Sequence, residues 1–214
     1  MALNILRAMG AALFLAVPMF AFGDELAAQQ AARILRQSMP GVSAETWNAR
    51  IKQDATQAAC SRHRNQPPEK VAAKIVADAA DEIRYPSSGV LIGNWKVGER
   101  LAKISTGGQV SKLSPEALGA PRGGNCYACH VLAADEVAAG TLGPNLTGYG
   151  KLRGTSPEVA KALYQKIYNA QASVPCSLMP RFGHNGWLTP EQIADIVAYL
   201  LDAESPVNQV TSDK

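Results

Sequence analysis

Apolar residues along this chain recur mostly at three- and four-residue intervals, the spacing that lines one face of a helix. The run SAETWNARIKQDATQAAC, Ser43 to Cys60, predicts a helix opened by Ser43, whose hydroxyl suits an N-cap. PPEKVAAKIVADAADEI follows. Its prolines stand where a helix tolerates them, and Val71, Ile75, Ala79 and Ile83 share one face until YPSSGVLIG stops the pattern. From Gly93 onward the spacing predicts helices separated by glycine-rich loops. NWKVGERLAKIS has Asn94 as cap with Val97, Leu101 and Ile104 apolar, and SPEVAKALYQKIYNA has Ser156 as cap ahead of Pro157. In TPEQIADIVAYLLD, Thr189 and Gln192 have capping-box spacing, Pro190 takes the first helical position, and Ile193, Ile196, Val197 and Leu200 form one stripe. No stretch alternates with period two for long enough to build a sheet, so the fold class is all-α. The closing SPVNQVTSDK reads as an exit strand or a disordered end.

The N-terminus adds a compartment. MALNILRAMGAALFLAVPMFAFG has one positive charge at Arg7, an apolar run from Ala11 to Phe22, and small residues at Ala21 and Gly23, the pattern of a signal peptide cleaved before Asp24. The apolar run, about twelve residues, falls short of the roughly twenty that a spanning helix needs. A soluble, periplasmic mature chain is therefore expected. Losing Arg7 takes the formal charge from +3 to +2 (3 minus 1), too small an excess to argue for nucleic acid or a membrane surface as partner. Residues 24 to about 90 hold few bulky apolar side chains and read as a helical extension without a large core of its own.

Export also bears on the four cysteines, because an oxidising compartment favours disulfides and cofactor thioethers over structural zinc. Cys126, Cys129 and His130 in GGNCYACHVL form C-x-x-C-H. Two thiols separated by two residues in a helical turn can form thioethers with the two vinyl groups on one edge of a porphyrin, and the next residue then supplies a proximal imidazole to the iron. A dithiol redox motif needs no terminal histidine and sits beside a strand–helix unit, which this chain lacks. Zinc would need a second ligand pair at matching spacing, whereas Cys60 and Cys176 stand alone. The expected cofactor is one covalent haem c. For the sixth iron position the mature chain offers Met39 and Met179, with His63 and His184 as the bis-histidine alternative. Met179, in the loop CSLMPRFGHNG ahead of the last helix, is favoured because Pro180 holds it extended. GTLGPNLTGYGKLRG is expected to line the proximal side as a tight loop. There the Pro144 carbonyl is the candidate acceptor for the second ring nitrogen of His130, with an ordinary turn proline as the alternative.

Taken together, WKVGERLAKI, GGNCYACH, GTLGPNLTGYGKLRG, KIYNAQASVPCSLMPRFGHNG and LTPEQIADIVAYLLDAESPVN resemble the SoxX family, the monohaem subunits of SoxAX cytochrome complexes. The resemblance covers about residues 93 to 208 and implies a class I cytochrome c fold there. The expected organisation is a signal peptide at 1–23, a helical N-terminal extension at 24–92, a cytochrome c domain at 93–208 and a tail at 209–214. The family implies a heterodimer with a SoxA-type cytochrome that holds the substrate site and couples thiosulfate to a cysteine of a SoxYZ-type carrier. This chain would accept the electrons released and pass them to a downstream cytochrome. The resemblance puts the thioethers on Cys126 and Cys129 and the axial ligands on His130 and Met179. It makes the chain the electron-accepting subunit of an L-cysteine S-thiosulfotransferase, with a free-standing electron-transfer cytochrome c as the alternative. Arg181 is a candidate for a haem propionate through its guanidinium fork, or else a solvated surface charge. Cys60 and Cys176 most simply form a disulfide in an exported chain, with free thiols or an intermolecular bridge as alternatives.

Overall fold

The computed structural model describes residues 20–39, 41–105, 122–134 and 136–209. The chain divides into two compact units, residues 1–43 and 44–214. The first holds α1 (Phe20–Ser38), followed by Met39. Most of the expected signal peptide, residues 1–19, lies outside the described residues, as do 210–214 of the tail.

The second unit carries α2 (Ala44–Arg50), α3 (Ala55–Arg62), α4 (Glu69–Asp81), α5 (Trp95–Lys103), α6 (Tyr149–Arg153), α7 (Pro157–Tyr168) and α8 (Pro190–Leu201). Short 3-10 turns fall at Cys126–Ala128, Ala170–Ala172 and Pro206–Asn208, and there is no strand among the described residues. The stretch read from sequence as one helix from Ser43 to Cys60 is two. Asp54 accepts the Gln57 amide, and the Gln57 side chain accepts the Asp54 amide in return. This capping box starts a fresh helix at Ala55 and ends the continuity that the apolar spacing suggested.

The main core forms where α5 crosses α8. The crossing is close enough that a Cβ on Gly98 would stand 2.0 Å from the Asp195 carbonyl oxygen. The approach is locked by the Asn94 amide, which donates to Asp195 Oδ1 at 2.7 Å, and the Gly93 amide, which donates to the Ala194 carbonyl at 3.0 Å. α8 is buried almost all round: Ile193, Val197, Ala198 and Tyr199 are fully enclosed. Each such large apolar side chain contributes about 1.5–3 kcal/mol through burial. Ile83, just past the C-cap of α4, joins this core, while α4 itself directs Ile75 and Val71 to a smaller cluster around Cys60 and Cys176. Residues 44–92 of the extension therefore belong to the same unit as the cytochrome-like region.

The stretch after α8, expected as an exit strand or disordered end, is a buried 3-10 turn up to Asn208. The Asn208 side chain explains it, accepting the Gly150 amide at 2.9 Å and donating to the Leu200 and Asp202 carbonyls. One amide thereby ties α6 to the C-terminal end of α8, satisfying carbonyls that would otherwise be orphaned.

Candidate haem-attachment site

The C-x-x-C-H motif leaves the end of α5 through two backbone bonds, from the Gly124 amide to the Leu101 carbonyl at 2.8 Å and from the Asn125 amide to the Ile104 carbonyl at 3.1 Å. Asn125 turns the chain with φ +44°, in the left-handed region that asparagine tolerates. Cys126–Ala128 then form a 3-10 turn, and the amides of Cys129 and His130 both donate to the Cys126 carbonyl, at 3.1 and 2.9 Å. The turn gathers both thiols and the imidazole into one short segment. Above it, the Tyr127 and Tyr199 hydroxyls share a buried hydrogen bond of 2.6 Å that fixes the motif against α8, and Trp187 Nε1 donates to the Gly123 carbonyl at 2.8 Å. Sequence reasoning did not pair these groups. They lie 72 and 64 positions apart, beyond any local signal.

The glycine-rich loop is laid directly across the motif. The Gly140, Gly143 and Leu146 amides donate to the carbonyls of Tyr127, Cys129 and Val131. A Cβ on Gly143 would stand 2.2 Å from His130 Cε1, so only glycine lets the loop pass this ring. The contact brings the Pro144 carbonyl to 2.7 Å from His130 Nδ1. A carbonyl only accepts, so Nδ1 carries the proton and Nε2 keeps its lone pair for a metal. Beyond this the loop closes with the short α6.

Both motif cysteines are free and half-buried. Burial pushes the Cys126 thiol up to about 12, well outside the range of a reactive thiolate. Among the described residues no group of three or more His, Cys, Asp or Glu side chains is arranged to hold a metal ion. Two unpaired thiols, a histidine with a free Nε2 and a glycine cradle fitted to its ring suit a haem held by two thioethers and a proximal imidazole.

Met179 is half-buried and packs on the main core cluster, as Cys126 does. Its loop is tethered at several points. Cys176 is disulfide-bonded to Cys60. Arg181, a candidate propionate partner in the sequence, is 8% exposed, and its guanidinium pairs with Asp54 Oδ2 at 2.5 Å. The His184 Nδ1–H donates to Glu82 at 2.5 Å, which engages its ring at the extension, and His63 closes α3 as its C-cap. Burial alone would raise the Asp54 carboxyl, but the Gln57 amide, the Arg181 guanidinium and His184 together hold it below its ordinary value.

A family model described as cytochrome c matches residues 119–204. A curated relative from Aquifex aeolicus (strain VF5), named an uncharacterized lipoprotein, is 44% identical over 158 residues, which cover 73% of this chain and 73% of the relative. The chain carries a cytochrome c domain over residues 119–204. As a cytochrome c it is an all-α protein that binds haem c covalently and transfers electrons. Its sequence has a single C-x-x-C-H, at Cys126, Cys129 and His130, the motif type to which haem c is attached.

Proposed function

We propose that this cytochrome c is the electron-accepting subunit of a periplasmic SoxAX-type complex, in which a SoxA-type partner couples thiosulfate to a cysteine of a SoxYZ-type carrier. That joining forms a sulfur–sulfur bond and releases two electrons, which this chain passes on to a downstream cytochrome. The substrate chemistry belongs to the partner. The observation that carries the reading is the loop CSLMPRFGHNG, the most discriminating part of the resemblance, which presents Met179 between a disulfide and an ion pair.

Bound haem supplies a one-electron iron couple, and histidine–methionine ligation suits it to accept electrons by raising its potential relative to bis-histidine ligation. The chain's own residues do the rest. His130 is oriented by the Pro144 carbonyl; with haem bound, Cys126 and Cys129 would hold the macrocycle, and His130 and Met179 would be the residues that ligate its iron. With His130 and Met179 both serving as ligands, thiosulfate would not be expected to bind at this iron.

The name of the Aquifex relative marks that protein as a lipoprotein and agrees with an extracytoplasmic setting here. Cleavage near Gly23 and release into the periplasm are part of the proposal, and N-terminal sequencing of the exported protein reads them directly. Among the described residues no helix is long and apolar enough to cross a membrane.

Affinity purification of the tagged chain from cells grown on thiosulfate tests the assignment. A SoxA-type cytochrome should co-purify, and the complex with SoxYZ should reduce the haem when thiosulfate is added. A partner-free cytochrome whose haem does not respond to thiosulfate would instead establish a free-standing electron carrier.

A further inference from the structure

The loop that presents Met179 takes its side-chain ion pairs and its covalent tether from outside the cytochrome-like region. Among the described residues, the backbone hydrogen bonds of residues 174–181 stay within 170–185, and the loop's backbone is anchored only at its far end, where the Gly183 and His184 amides donate to the Tyr168 carbonyl at 3.0 and 3.3 Å. Phe182 is buried in the main core, and Met179 packs against that core. The other side-chain tethers run to the extension: the Cys176–Cys60 disulfide, the Arg181–Asp54 ion pair, and His184 between Glu82 at 2.5 Å and Asp54 at 3.8 Å. Met179 lies between the first two.

The three extension residues stand on fixed points. Asp54 caps α3 and is itself held by the capping box with Gln57, Cys60 is buried in α3, and Glu82 is the C-cap of α4. Ile75 and Val71 of α4 pack around the disulfide, so α3 and α4 act on the loop as one support. A thioether is a neutral ligand on a flexible side chain, and every residue that must be ordered when it binds weakens the bond. A loop ordered beforehand by groups that never touch the iron removes that cost.

We propose that Asp54, Cys60 and Glu82 are positioning residues for Met179, through which the extension sets the strength of the sixth iron ligand. The inference rests on the reading of Met179 as that ligand. It gives residues 44–92 a part in the electron-transfer site, whatever partner surface they also present. A cavity of about 260 Å³ opens beside the clamp, lined in part by Asp54, Glu82, Gln171, Arg181 and His184. Water reaching this cavity can solvate Arg181 when its carboxylate is removed, so Asp54→Asn is expected to fold.

Imidazole competes with methionine for ferric haem, so its apparent Kd, read from the Soret shift of the full-length holoprotein, measures how firmly the loop holds its ligand. Asp54→Asn and the disulfide-free Cys60→Ser/Cys176→Ser pair should each bind imidazole about tenfold tighter than wild type, the factor that a modest loss of ligand preorganisation gives. Glu82→Gln should move in the same direction. Ser205→Ala, which removes a buried bond to the Tyr199 carbonyl at the far end of α8, should lower the urea midpoint and leave imidazole affinity unchanged. Unchanged imidazole affinity in Asp54→Asn and the disulfide-free pair would overturn the clamp, as would an equal gain in Ser205→Ala. If the disulfide-free pair does not fold, Asp54→Asn decides alone. Met179→Ala separates the two layers: loss of the methionine–iron charge-transfer band supports the ligand reading independently of the clamp, and survival of the band overturns that reading and the clamp with it.

Discussion

A methyl group on Gly143 would press into the ring of His130, 2.2 Å from Cε1, and this one position carries much of the proximal geometry. Gly143→Ala is expected to displace the ring from the Pro144 carbonyl and lower the haem content of the exported protein severalfold, as a pyridine haemochrome assay would read it. Asp54 gives a pH dependence. Its folded-state carboxyl is held below the ordinary value, so the stability it contributes is complete above the unfolded value of 3.8 and is lost as pH falls through the lower folded one. The urea midpoint of wild type should therefore drop more steeply below about pH 4 than that of Asp54→Asn, in line with the ordinary carboxyl range. At this scale the sequence is informative where chemistry is local. Cys126, Cys129 and His130 fall within five consecutive residues, and the Pro144 carbonyl follows from a Gly-Pro step in a short loop. Arg181 shows the limit. A propionate partner, a surface charge and an ion pair with a residue 127 positions away look alike until the chain is folded.

Helix caps and close crossings act at the scale of elements. Thr189 accepts the Gln192 amide and the Gln192 side chain accepts the Thr189 amide, so Thr189→Ala should cost about 1 kcal/mol in chemical unfolding. Gly98→Ala should cost more. Its Cβ would meet backbone of α8 rather than a mobile side chain, and overpacking of this kind costs about 1–3 kcal/mol or above. The boundaries of α5, α7 and α8 were legible because capping residues and apolar spacing agree there. Two elements were not. The Asp54 box breaks a continuous apolar pattern, since a reciprocal cap outweighs the propensity of the residues around it. The turn after α8 depends on Asn208 reaching α6, a contact that spacing along the chain does not encode.

For the molecule as a whole, the fold class could be read from periodicity, and the Cys60–Cys176 pairing already tied the extension to the Met179 loop, while its share in the main core could not be read. Sparse bulky apolar residues suggested only an extension without a large core of its own. In the structure Ile83 joins the main core, Tyr164 donates to the Arg84 carbonyl at 2.7 Å, and a disulfide spans 116 positions. Closing a loop of that size restricts the unfolded chain, so the disulfide-free variant should be less stable by about 4–5 kcal/mol in the entropy model, measurable by urea unfolding. The claim beneath all of this is that Cys126 and Cys129 are welded to one porphyrin. Intact-mass spectrometry of the chain exported from a host equipped for haem attachment tests it most directly. The account predicts the processed polypeptide plus a single haem that denaturation and acid extraction do not remove, and the bare polypeptide mass would contradict it.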